Sequence, residues 1–232
     1  MSAPPPLRAA PDSRSPGVAV APVVTIVVFV LFLAVLAWAG VAMVARRDMT
    51  VFVPTPPGTR PNSDTAFLDT LTIDARDADT WAYVDLDRRS RIFPPDTGGW
   101  DLAFRRFDIT TSGAARDLGP GTLDTLVSVP ADGYVPPPVD PDDGHPAFHH
   151  WYRYGFASHL LTPNGHQWAI HTRDGRYAAF EILSYYCPGS AAGCVTIRYR
   201  YQPSGTTTFT IEGSGTSRPG PADPERGRAG AS

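Results

Sequence analysis

The chain has 232 residues, 20 basic and 23 acidic, for a net charge of -3, and every basic residue is arginine. No basic surplus is available to displace counterions from phosphates, so nucleic acid is excluded as a general partner. Two cysteines exclude a Cys-rich zinc module and a disulfide-dense mini-protein, and Pro 25 with Gly 21 make up roughly a fifth of the chain, much of it at the two ends.

Residues 1–16 (MSAPPPLRAAPDSRSP) have the composition of a disordered cytoplasmic tail. From 17 to 45 no charge occurs, and VVTIVVFVLFLAVLAWAGVAMVA is long enough to cross roughly 30 Å of hydrocarbon as a helix. It exceeds the apolar region of a signal peptide, and Arg46-Arg47-Asp48 follow at once. An uncleaved single-pass helix over 17–45 is expected. Ala34, Ala37, Gly40 and Ala45 share one face of it, and close approach of small residues is what holds spanning helices together, so this stripe is expected to pack against another one. Residues 46–63 contain VPTPPGTRPN and read as a proline-rich stalk lifting the following domain off the bilayer.

The segment 64–213 is patterned as strands and turns. TLTIDA (70–75) alternates, and WAYVDLD (81–87) sets Ala82, Val84 and Leu86 on one face. WDLAFRRFDIT (100–110) is longer and less regular. QWAIHTR (167–173) leads through Asp174-Gly175, a hairpin turn signal, into RYAAFEILSYY (176–186). In CVTIRYRY (194–201), Val195, Ile197, Tyr199 and Tyr201 share a face. TTTFTIE (206–212) reads as a further strand, and 214–232 as a Gly/Pro-rich tail. The fold class is therefore all-β, two packed antiparallel sheets behind one N-terminal helix. Cys187 and Cys194 flank the turn PGSAAG, which faces them across a hairpin, and a disulfide is expected. Arg8 and Arg14 before the helix nearly balance Arg46 and Arg47 after it, so charge does not orient it. The disulfide does: bridges persist in oxidising compartments, which puts the β domain on the periplasmic side of a bacterial inner membrane.

Three stretches together resemble the HmuY-like haem-binding family: TLTIDARDADTWAYVDLD (70–87), WDLAFRRFDITTSG (100–113), and HTRDGRYAAFEILSYY (171–186) running into VTIRYRYQ (195–202). The resemblance covers about residues 70–202 and implies an extracytoplasmic all-β domain whose relatives hold haem between two axial side chains. No methionine follows Met49, which leaves histidine. Asp-Gly-His (143–145) is similar to the surroundings of one ligand in a relative, and His159 lies where the second is expected. The implied haem ligands are His159 with one of His145, His149 or His150. All six histidines fall between 145 and 171.

Neutral imidazole suits iron, zinc or copper. No zincin spacing occurs, so no protein metal site is expected. His166 follows a turn, and His171 is expected on a polar strand face with Ala169 and Arg173. Arg105-Arg106 could pair with propionates but have many Asp neighbours; Trp151, Tyr152, Tyr154, Phe156 and Trp168 could line a flat pocket or form core. No nucleophile elbow, P-loop, dinucleotide fingerprint or C-x-x-C occurs, so the protein is expected not to be an enzyme. A haem scavenger has no need of a spanning helix. The leading expectation is thus an accessory subunit of a respiratory or photosynthetic reaction-centre complex, its β domain a scaffold, with other transmembrane subunits and lipid as partners and no firm cofactor. The alternative is a membrane-anchored haem-binding or haem-relay protein.

Overall fold

The computed structural model describes residues 20–47, 49–56, 65–93 and 99–209. The two expected tails, residues 57–64 of the expected stalk and the end of the 206–212 run lie outside these.

Helix α1 spans Val20–Arg47, and its Pro22–Arg46 stretch is long and apolar enough to cross a membrane. None of it is buried by the rest of the chain over that window. Leu, Val, Ile and Phe at 48–62 % exposure around the helix are tolerable only where the solvent is itself apolar.

Eleven strands follow. They are β1 (Phe67–Asp74), β2 (Ala82–Asp85), β3 (Ser90–Ile92), β4 (Leu102–Arg105), β5 (Asp108–Thr111), β6 (Ala114–Pro120), β7 (Tyr152–Gly155), β8 (Leu160–Pro163), β9 (His166–His171), β10 (Tyr177–Tyr186) and β11 (Ala192–Gln202). A five-stranded sheet runs β1-β11-β10-β9-β6, a four-stranded one β3-β2-β4-β5, and β7-β8 is a separate hairpin. All the pairings are antiparallel.

One apolar core joins the two larger sheets. Leu71, Ile73, Val195, Ile197 and Tyr199 meet Val84, Leu86, Leu102, Phe104 and Ile109, with Trp168 and Phe180 stacked at 5.4 Å. Each such side chain contributes about 1.5–3 kcal/mol by leaving water. Truncating Trp168, 1 % exposed, would cost about 3–5 kcal/mol through the cavity left behind. The alternation read in β11 holds: Val195, Ile197, Tyr199 and Tyr201 are all buried. Thr72 and Thr196, opposite each other in register, share a side-chain hydrogen bond of 3.0 Å.

Two readings change. The run 100–110 is a hairpin, not one strand: Arg106 adopts φ 55° between β4 and β5, and its N–H donates to Ala75 O. The face carrying His171 is not polar and open. The segment 121–135 crosses that side of the large sheet and forms a second core of Leu123, Val129, Ala169, Tyr177, Ala179 and Phe209. His171 stacks on Tyr177 at 4.6 Å beneath it. The run expected as a last strand contributes an isolated bridge, Ser128 to Thr208, and the buried Phe209.

The Asp174-Gly175 turn is present, with Gly175 at φ 80° and its N–H on Thr172 O. Cys187 and Cys194 are joined, with Cα atoms 4.9 Å apart. Residues 49–56 lie along the domain rather than holding it away from the helix: Thr55 N–H donates to Thr72 O, Thr72 N–H returns to Thr55 Oγ1, and Ser184 Oγ donates to Thr50 O.

Candidate functional site

The histidines divide by environment. His145 is fully buried and caps the short 3-10 turn Pro146–Phe148. Its Nε2 donates to Val135 O at 3.1 Å, and its Nδ1 accepts from Ala147 N–H at 3.1 Å. Both ring nitrogens are committed, and burial holds its pKa below the usual value for histidine. A ligand must offer a lone pair toward solvent; His145 offers none and is an internal brace. His149 and His150 are exposed beside that turn, His149 donating weakly to Asp143 O at 3.4 Å. His166 pairs with Asp117 at 2.9 Å.

His159 stands apart from them at the turn of the β7–β8 hairpin. Its N–H closes the turn onto Gly155 O at 2.7 Å, and its φ of 57° is left-handed, a conformation histidine adopts more readily than most residues. Tyr154 Oη and His159 Nδ1 share a hydrogen bond. The rings of Tyr154, Phe156 and Trp38 surround the imidazole at centroid separations of 5.9, 6.5 and 5.7 Å. Among the described residues it is the one exposed histidine with aromatic neighbours, and Nδ1 is its one hydrogen-bonded ring atom. His145 and His159 differ in kind: the first is buried with both ring nitrogens committed, the second is exposed.

The other signals resolve into structure. Arg105 lies 4.5 Å over the Trp81 ring and donates to Asp142 Oδ1 at 2.8 Å, so its charge is spent on an internal pair. The aromatic run splits. Trp151 and Trp168 are core and donate to Phe107 O and Ala147 O, whereas Tyr154 and Phe156 are exposed. Ala34, Ala37 and Gly40 are exposed, with nothing within 4 Å of a Cβ placed at Gly40. Ala45 instead faces the β domain across an open cleft of about 280 Å³, shared with Met49, Ser158, Leu160 and Tyr186.

A second cleft of about 220 Å³ was not visible in the sequence, because it gathers residues from distant turns: Asp85, Asp101, Asp174, Arg176 and Tyr201. Asp101 accepts from Leu86 N–H at 2.8 Å, and burial raises its pKa to about 7, with Asp85 and Asp174 adding repulsion. Arg176 bridges to Asp87 at 3.2 Å and Asp174 at 3.1 Å.

Haem can be tested against these residues. The 280, 220 and 160 Å³ clefts are smaller than the roughly 300–1,000 Å³ of enclosing ligand pockets. Among the described residues none of these three clefts is lined by a histidine, so none is a slot between two imidazoles. One exposed imidazole with a hydrogen-bonded Nδ1 and apolar rings around it would suit a single protein ligand to iron, because iron-binding histidines are held through their other nitrogen.

No protein-family model and no curated protein matches the chain. Solved structures do. The apo HmuY analogue of Tannerella forsythia matches with TM-score 0.50 and 18 % identity, covering 60 % of this chain and 97 % of that one. A Bacteroides vulgatus chain classed as an HmuY-like heme-binding protein (TM-score 0.47, 19 % identity, 62 % and 97 % covered) and apo PinO of Porphyromonas gingivitis (0.47, 16 %, 58 % and 97 %) also match. At such identities the likeness is one of fold: the β domain of this chain has the HmuY-like fold.

Proposed function

We propose that the chain is a membrane-anchored, non-enzymatic haem-binding protein that presents an HmuY-like domain at the outer face of a bacterial inner membrane, with His159 as its one protein ligand to iron. The observation that carries this is the His159 environment: an exposed imidazole tied through Nδ1 to Tyr154 and ringed by Trp38, Tyr154 and Phe156. Apolar rings suit the faces of a porphyrin, and the tethered imidazole suits its iron. The fold likeness supports the class of ligand. Iron porphyrin, when bound, supplies an axial coordination site and redox capacity; the protein's part is to orient the imidazole. His149 and His150, exposed nearby in sequence, are outside this ring of aromatics. Nothing among the comparisons favours a subunit of a respiratory or photosynthetic complex.

Titration of the full chain in lipid nanodiscs with haemin is the test. A shifted Soret band of high-spin, one-histidine type is expected. His159→Asn, which tolerates the same left-handed backbone, should abolish it. Identical spectra for the two proteins would sink the proposal.

A further inference from the structure

Trp38 sits eight residues before Arg46, about 12 Å down the helix axis at 1.5 Å per residue. The His159 ring meets it edge-on at 5.7 Å. The β7–β8 hairpin therefore reaches down alongside α1 instead of resting on its end. From Tyr154 to Pro163 the hairpin has no Asp, Glu, Arg or Lys. Phe156 is 86 % exposed and Tyr154 54 %.

These facts constrain where the membrane lies. The apolar stretch Pro22–Arg46 has 25 residues, about 37 Å of helix against roughly 30 Å of hydrocarbon. If its outer end marked the boundary, the hairpin turn would sit deep in hydrocarbon. Its turn closes with one backbone hydrogen bond, His159 N–H to Gly155 O, and exposed turn backbone is not tolerated there. Val20–Trp38 alone gives about 28 Å, enough for the hydrocarbon core. Trp38 and Tyr154 then fall at the level where amphipathic rings concentrate. The cost is that Val41, Met43 and Val44, 57–60 % exposed, stand among headgroups. An apolar side chain at that level is less costly than unpaired backbone in hydrocarbon.

We infer that the turn of the β7–β8 hairpin, through Tyr154, Phe156 and His159, is a second membrane contact seated at the headgroup–hydrocarbon boundary, and that its clasp on Trp38 ends the spanning part of α1 there rather than at Arg46. This rests on α1 crossing a bilayer and is independent of haem. The bound surface is lipid: an uncharged turn with one large ring pointing outward next to a helix that is itself in the bilayer.

The test uses the full, haem-free chain in phosphatidylcholine nanodiscs, with nitroxides on introduced cysteines. Cys187 and Cys194 are joined and take no label. Labels replace Phe156, Val44, Val30 and Asp132, the last 99 % exposed. Collision with water-soluble nickel chelate should be several-fold lower at Phe156→Cys than at Asp132→Cys, lowest at Val30→Cys, and high at Val44→Cys. A Phe156 label as accessible as the Asp132 label overturns the inference. So does a Val44 label as shielded as Val30. A water-accessible Val30 label removes the spanning helix and the inference with it, an outcome distinguishable from failure at Phe156 alone.

Discussion

The His159 imidazole meets the Trp38 indole edge-on at 5.7 Å, joining the turn of a β hairpin to the middle of an apolar helix. Tyr154 Oη shares a hydrogen bond with its Nδ1. If His159 binds iron through Nε2, the phenol fixes the ring's tautomer and orientation. Tyr154→Phe should therefore weaken haemin binding by about 10–100-fold while leaving thermal stability unchanged, since Tyr154 is half exposed. Equal haemin affinity in the two proteins would show that the phenol plays no part.

His145 should behave as structure. His145→Ala takes the acceptor from Ala147 N–H and one of two donors from Val135 O, which keeps Ala115 N–H; with the cavity left by the buried ring, a loss of about 2–4 kcal/mol in chemical denaturation is expected. Burial lowers the His145 pKa, so the folded state holds it neutral. Its contribution is full above about pH 6.5 and is lost as pH falls through its lower folded pKa. The variant should show a shallower loss of Tm on acidification below about pH 6.5. A slope equal to the parent's removes this assignment.

Asp101 works in the opposite direction. Its folded pKa is raised to about 7, mainly by burial, so the fold prefers the protonated acid. The stabilisation is full below about pH 4 and is lost as pH rises to about 7, on the order of 4 kcal/mol in all. Asp101→Asn keeps an oxygen for Leu86 N–H and carries no charge. Its Tm should exceed the parent's at pH 8 and converge with it at pH 4. A parallel pair of Tm curves across that range would contradict this.

The Cys187–Cys194 bridge closes a short loop, with a sequence separation of 7. Loop-closure entropy predicts a gain on the order of 2–3 kcal/mol. Mass spectrometry of unreduced protein should find no alkylated cysteine, and reduction should lower stability by that amount without loss of the sheet signal in circular dichroism. Two alkylated thiols in native protein would remove both the bridge and the periplasmic assignment built on it.

Gly40 has open space around it, so Gly40→Leu should leave the β domain's Tm unchanged. If the Ala34, Ala37 and Gly40 face packs against another spanning helix, the variant should lose that partner in mild detergent, since a leucine blocks close approach. Undiminished co-purification of the same partner would exclude this face as the contact.

The long apolar helix, the alternating β11, the Asp174-Gly175 hairpin and the Cys187–Cys194 pair were legible in the sequence, because each is set by residues within one turn or one strand of one another. Local periodicity and turn chemistry are enough to specify such features. The β4–β5 turn was not legible, since Arg106 takes a left-handed conformation without the glycine that usually announces it. Nor was the availability of the histidines. Asp-Gly-His (143–145) reads as a ligand, but Val135 O and Ala147 N–H take both nitrogens of His145. Trp38 and His159 lie far apart in the chain and meet only through tertiary packing. Apolar runs, alternation and turn positions follow from neighbouring residues alone. Which imidazole keeps a free nitrogen, and which helix residue the hairpin turn meets, were set by tertiary packing, because both depend on groups that non-local contacts bring within a few ångströms.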